Sequence, residues 1–128
     1  MAGAHLIIDM KDLNESTDQL NLALERAEEA LVDLNLGVRA FILLNDKDGA
    51  ELGFGKHKNR WRLLYRYTDH EEPLVTAGRE LRVSAALKLQ DLLIALHVEA
   101  RNQMEVVQQA IAEVERFLQN LESEIGPT

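Results

Sequence analysis

The stretch VRAFILLNDKDGAELGFGKHKNRWRLLYRY, residues 38–67, decides the fold, because it contains three apolar segments separated by two turn sequences. Residues 38–44 are rich in β-branched and large apolar side chains on both faces, which predicts a strand covered on both sides. In residues 45–49 the Asp-Gly pair supplies the positive φ of a tight turn. Residues 50–56 predict the second strand, and residues 57–59 predict another turn.

The third strand is predicted over residues 60–67, where aromatic or aliphatic residues alternate with arginine. Alternation places the two kinds of side chain on opposite faces of a strand. We expect Trp61 in the core, between the sheet and a helix. Arginines would lie on the outward or partner-facing side, because burying unpaired guanidinium groups is costly. The whole segment therefore predicts a three-stranded antiparallel meander over residues 38–67, followed by a polar loop over residues 68–73.

Outside the meander, apolar residues recur at spacings of three and four, which is typical of helices that pair along their length. The first such segment predicts a helix over residues 10–36, with Asp9 or Asn14 as the N-cap and Gly37 as the stop. The second predicts a helix over residues 76–124 that packs antiparallel to the first. The predicted fold is a single α+β domain over residues 1–128: a short N-terminal helix, a three-stranded antiparallel meander and a long C-terminal amphipathic, coiled-coil-like helix.

The predicted C-terminal helix is too long for a chain of this size. Unbroken, it would measure on the order of 70 Å, whereas a compact domain of this length has a diameter of about 36 Å. Either it breaks near Ser84 or within residues 98–102, or its distal half pairs with another chain; the width of its apolar stripe favours a partner. The candidate oligomer interface is formed by Ala100, Met104, Val107, Ile111, Val114, Leu118 and Leu121.

A cluster of basic residues in the meander is the second candidate surface. Five bases and no acid occur between residues 56 and 66, in a chain whose formal net charge is −8. They are Lys56, Lys58, Arg60, Arg62 and Arg66. Arginine and aromatic side chains on a sheet can bind single-stranded nucleic acid, but that requires both on one face, and the alternation separates them. The arginines could instead pair with the chain's own acids, face solvent or bind an acidic protein partner.

Composition excludes several classes of site. The chain has no cysteine, which excludes disulfides, zinc–thiolate sites and iron–sulfur clusters. No sequence pattern of a catalytic, metal-binding or cofactor-binding site is present, so we predict a non-enzymatic protein without cofactors. The acidic net charge disfavours nucleic acid and anionic membranes as general partners. The first eight residues lack a basic leader region and no segment reaches membrane-spanning length, which predicts a cytoplasmic protein.

These features favour a self-associating interaction protein, such as an adaptor or a chaperone-like subunit, that forms a homodimer or higher oligomer through its heptad helices. The order of elements and the acidity are similar in outline to prefoldin-type chaperone subunits and to the small acidic chaperones of secretion systems, although the chain carries no sequence motif of either family. The alternative is a binding module whose basic sheet face, residues 56–66, holds an anionic ligand or nucleic acid.

Overall fold

Tight turns hold the middle of the chain in antiparallel register. In the computed structural model, which describes residues 9–45 and 48–126, β2 (Ala50–His57) and β3 (Arg60–Tyr67) are joined by Lys58 and Asn59. Both turn residues have positive φ, 51° and 66°, as a two-residue type I′ turn requires. β1 (Ala40–Asn45) pairs with the other edge of β2, with Gly49 at φ 70° just before β2 begins. Residues 1–8, 46–47 and 127–128 lie outside the described residues.

The sheet has four strands in the order β1-β2-β3-β4, one more than the predicted meander. The extra strand, β4 (His70–Pro73), lies in the segment predicted as a polar loop, and that prediction was wrong. Thr68 adopts φ 50° and, with Asp69, reverses the chain. Glu71 then lies opposite Arg66, and Pro73 ends the strand opposite Leu64. A polar strand of this kind is stable at a sheet edge because opposite charges face each other across the ladder.

The core lies on one face of the sheet. Paired residues project to the same side, so Phe54 and Leu63 share a face with Leu52. These residues cluster with the buried residues of the three helices: Leu24, Ala85, Leu92 and Leu96. Trp61 packs at the margin of this cluster, only partly buried, with its ring stacked on Phe54 at a centroid distance of 5.5 Å.

The opposite face of the sheet is only partly covered. Leu43, on that face of β1, is 49% exposed, so the expectation that this strand is covered on both sides was wrong. Leu64, on the same face of β3, is fully buried. The second face of the sheet is therefore covered around Leu64 and open at Leu43.

Helix α1 (Met10–Leu34) covers the part of β3 that β4 leaves unpaired. Asp9 caps the helix by accepting a hydrogen bond from the Asp12 backbone N–H at 2.9 Å, and Asn35 ends it at φ 52°. The ladder with β4 stops at Leu64, and the next outward N–H, that of Leu63, donates to Glu28 Oε1 at 2.7 Å. One carboxylate on the helix thus replaces the missing strand partner.

The predicted C-terminal helix is two helices. After a 3₁₀ turn (Leu74–Thr76), α2 (Arg79–Leu87) and α3 (Leu89–Ile125) are separated at Lys88, which has φ −112° and ψ 5°. Neither predicted break position, Ser84 or residues 98–102, is the actual one. The break separates α2, which packs against α1, from α3, which packs on β1.

The helices also pack differently from the prediction. We expected the last helix to lie antiparallel along the first, but α1 contacts mainly β3 and α2, and α3 contacts mainly β1. The two long helices therefore pack over different strands of the sheet and not along each other. None of the helices in the described residues is long and apolar enough to cross a membrane.

The Glu28–Leu63 hydrogen bond gives a stability prediction. Glu28→Ala leaves a partly buried backbone N–H without a partner, and we expect it to lower the free energy of unfolding by about 1–3 kcal/mol. Glu28→Gln keeps an acceptor at the same place and should lose less. Urea denaturation measures both, with Glu25→Ala, an exposed position one turn earlier, as the control. Equal losses for Glu28→Ala and Glu25→Ala would contradict this role for Glu28.

Candidate functional site

The five basic residues of the candidate anionic-partner surface do not form one patch. Lys56 pairs with Trp61 in the ladder and lies on the core side of the sheet, where its ammonium is 5.8 Å from the centre of the indole ring. Lys58 is an exposed turn residue. Only Arg60, Arg62 and Arg66 share the other face, as alternation along β3 requires.

Two of these three arginines bind acids of the same chain. Arg66 Nε and Nη2 donate to Glu51 Oε1 and Oε2 at 2.9 and 3.1 Å, a bidentate arrangement across the β2–β3 ladder. Arg62 Nε lies 3.6 Å from Glu28 Oε1, on α1. Arg60 is exposed and has no ion-pair partner within residues 9–45 and 48–126. Two of the three arginine charges on this face are therefore compensated by acids of the same chain.

Arg66 belongs to a larger group, which we call the arginine–phenylalanine cluster: Arg39, Phe41, Glu51, Arg66 and Glu71. The guanidinium carbons of Arg66 and Arg39 lie 3.8 and 4.7 Å from the centre of the Phe41 ring, within cation–π range. Glu71 Oε1 accepts hydrogen bonds from both arginines, at 3.4 Å from Arg66 Nη1. The two positive and two negative charges balance, so the cluster has no net charge with which to attract an anion.

The hydrogen bonds from Arg66 to Glu51 raise the pKa of the guanidinium, and they outweigh the smaller lowering effect of its burial. These contacts therefore favour the charged form of Arg66. A permanently charged, planar group suits the static bridging role that the geometry gives it.

Two glycines of β2 make the cluster possible. In the sequence, Gly53 and Gly55 could have left room for a ligand on the arginine face. In the structure the room is filled: a Cβ on Gly53 would overlap the ring of Phe41, and a Cβ on Gly55 would come within 3.2 Å of the Arg39 side chain. Because Gly53 pairs with both Phe41 and Leu64, the ring lies over the row that contains buried Leu64. The cluster is thus the local covering of the second sheet face.

A cleft of about 250 Å³ lies between α1 and the first half of β3. It is lined by acidic and basic groups in equal number: Glu25, Glu28, Glu29, Arg60, Arg62 and Arg82. The Nε atoms of Arg62 and Arg82 are buried without a hydrogen-bond partner within the described residues. Arg82 nevertheless donates through Nη1 to Asn21, so its guanidinium joins α2 to α1 at this cleft.

Sequence reasoning missed Arg39, Phe41, Glu51 and Glu71. Arg39 directly precedes a strand of mostly apolar residues, and Glu71 lies in the segment interpreted as a loop. The sequence did contain one indication of this cluster, the Glu51–Arg66 pair. A two-residue turn at Lys58 and Asn59 sets a hairpin register in which these two residues lie opposite each other. Glu71 could be found only after β4 was recognised.

The other candidate site, the oligomer interface, lies on α3. From Arg101 to Ile125 every residue of this helix is exposed, whereas Leu92 and Leu96 are buried against the sheet. Six of the seven predicted interface residues lie in this exposed half; the seventh, Ala100, packs at the margin of the core. Val107 and Ile111 are 55% and 52% exposed. The distal half of α3, residues 101–125, thus presents an apolar stripe without a partner in the described chain.

The chain matches no protein-family model, no curated protein and no solved structure. Among the described residues, no group of three or more histidine, cysteine or acidic side chains is arranged to hold a metal ion.

The covering role of Phe41 predicts different responses at two neighbouring glycines. Gly53→Ala must displace an aromatic ring held by two arginines, and should lower the free energy of unfolding by about 1–3 kcal/mol. In Gly55→Ala the neighbour is a flexible arginine that can move, so the change should stay within about 1 kcal/mol. Chemical denaturation of both variants tests this. A Gly53→Ala variant as stable as Gly55→Ala would show that the ring does not depend on the missing side chain.

Proposed function

We propose that this chain is a non-enzymatic interaction protein, an adaptor or chaperone-like subunit, that associates with a second copy of itself through the distal half of α3. One observation carries the proposal: the apolar stripe that packs α3 on the sheet continues far beyond the sheet. Large apolar patches on the surface of a protein usually mark an interface.

The continuity of the stripe supports this proposal. Leu89, Leu96 and Ala100 pack against the core, and the same steps of three and four residues then lead to Met104, Val107 and Ile111. At 3.6 residues per turn these positions stay on one face of the helix. The exposed distal half would extend about 37 Å beyond Ala100 at 1.5 Å per residue. The same apolar face of α3 therefore packs against the core up to Ala100 and is exposed beyond it.

The composition of the stripe favours a second helix of the same kind as the occupant. Between Ala100 and Ile125 the seam is apolar at every heptad position: Ala100, Met104, Val107, Ile111, Val114, Leu118, Leu121 and Ile125. A heptad pattern sustained over nearly four repeats is typical of a coiled coil. The helix surface opposite the seam carries the Glu113–Arg116 ion pair at 2.9 Å. A continuous apolar seam of this length suits one long neighbouring helix.

The alternative, an anionic ligand on the basic sheet face, has less support. Arg62 and Arg66 are already paired with Glu28 and Glu51, so an anion would have to displace these carboxylates. Such an exchange replaces one ion pair with another and offers little net gain.

Association through this stripe predicts a mass above 14.5 kDa in solution. Light scattering at micromolar concentration should give a dimer or a higher multiple of the chain mass. The double variant Val107→Asp with Val114→Asp should be monomeric, because it would bury charge in the seam. Val106→Asp, a change at a neighbouring exposed valine off the seam, is the matched control and should keep the wild-type mass.

Two results would count against the proposal. A wild-type protein that remains at the monomer mass throughout the micromolar range has no such interface. An unchanged multimer in the double aspartate variant would place the interface elsewhere. Circular dichroism of each variant establishes that α3 remains helical.

A further inference from the structure

We infer that, in the proposed dimer, the two α3 helices run antiparallel, with Met104 of one copy opposite Leu121 of the other. This inference rests on the proposed self-association and adds the direction and register of the partner helix. Three features of the described chain carry it: the position of the sheet, the charges beside the seam and the sizes of the flanking side chains.

The position of the sheet excludes a parallel pair. The seam of the distal half lies on the same face of α3 as Leu89, Leu96 and Ala100, which pack on the sheet. In a parallel in-register pair, residues 89–100 of the second copy would continue along that face and enter the space that the first copy's sheet occupies. In an antiparallel pair the second helix approaches from the opposite end, so this collision is avoided.

The length of the exposed seam matches the length of the overlap in an antiparallel pair. If the pair is centred between residues 112 and 113, Ile125 of one copy lies opposite Ala100 of the other. The second helix ends at Ile125, and α3 meets its own sheet at Ala100. The overlap therefore uses all the exposed seam and stops where the folded domain begins. The seam layers become Met104 with Leu121, Val107 with Leu118, and Ile111 with Val114.

Charges beside the seam favour the same arrangement. The positions that flank it on one side are Arg101, Gln108, Glu115 and Glu122. In an antiparallel coiled coil, flanking positions of this type lie beside positions of the same type on the partner helix. Arg101 of each copy therefore faces Glu122 of the other, on both sides of the two-fold axis. Neither residue has an ion-pair partner within residues 9–45 and 48–126. In a parallel pair, Glu115 and Glu122 would instead face Ala110 and Phe117.

Side-chain sizes on the other flank also favour the antiparallel register. This register places Ala110 of one copy against Phe117 of the other, a small side chain beside a large one.

The distribution of charge along the distal half favours the same arrangement. Residues 113–125 contain four acids and one base, whereas residues 100–112 contain one of each. A parallel pair would bring the two acidic halves together, and an antiparallel pair separates them.

Cysteine cross-linking tests the register directly, because the chain has no native cysteine. Met104→Cys and Leu121→Cys are prepared as separate single variants, mixed after reversible unfolding, and oxidised. A disulfide needs Cα atoms within about 7 Å, whereas these two positions lie about 25 Å apart along one helix. We expect the mixed Met104–Leu121 disulfide, identified by intact mass, to dominate over both homodimeric disulfides.

Every other result overturns the inference. Homodimeric disulfides in each variant alone would indicate a parallel pair, and an uncross-linked dimer would indicate another register; both leave the proposed self-association standing. An uncross-linked chain at the monomer mass would instead contradict the proposed self-association itself.

Charge exchange gives a second, independent measurement. Arg101→Glu or Glu122→Arg alone should raise the dimer dissociation constant about tenfold at low salt, because two attractive pairs become repulsive. The double variant with both changes should return to within about threefold of the wild type. Arg116→Glu, which faces away from the seam, is the control and should have little effect. Additive weakening in the double variant would overturn the proposed pairing.

Discussion

The register between β2 and β3 is the constraint on which the rest of the structure depends. The two-residue turn at Lys58 and Asn59 sets it, and a slip of one residue would move every side chain of β3 to the other face. In the observed register Leu63 joins Phe54 in the core, and Arg66 meets Glu51 on the outside. The hydrophobic and the electrostatic requirements therefore select the same pairing. Agreement between independent local preferences is what allows a short sheet to specify one structure.

The two faces of the sheet are covered by different physical means. Three helices bury one face with aliphatic side chains, whereas the other is covered in part by Phe41, held beside Arg39 and Arg66. Guanidinium groups can do this because they stack on an aromatic ring while their edges remain bonded to carboxylates. Basic residues that look like a binding surface in the sequence thus help to cover an otherwise exposed apolar row. This is why clusters of arginine next to glycine and phenylalanine are weak indicators of anion binding.

The features that could be predicted from the sequence are those that depend on residues close together in the chain. The three long strands, the first helix and the alternation along β3 depend on short-range patterns and were predicted, with small differences in their bounds. β4 was missed because Thr68 and Asp69 are not a typical turn pair, although Glu71 complements Arg66 across the ladder. The break at Lys88 was misplaced because neither proline nor glycine marks it; it arises from the different packing partners of α2 and α3. The arginine–phenylalanine cluster joins residues from all four strands, so it depends on tertiary contacts that no single segment encodes.

The edges of the sheet have a further consequence for how this protein behaves at high concentration. An unpaired strand edge is a template for adding strands from other molecules, and this leads to open-ended aggregation. Here β4 is only four residues long and ends in a proline, while β1 has an irregular pairing with β2 between Leu43 and Asn45. Short strands, proline and bulges are the devices by which natural sheets resist strand addition. The fold therefore disfavours fibril-like growth through its strands.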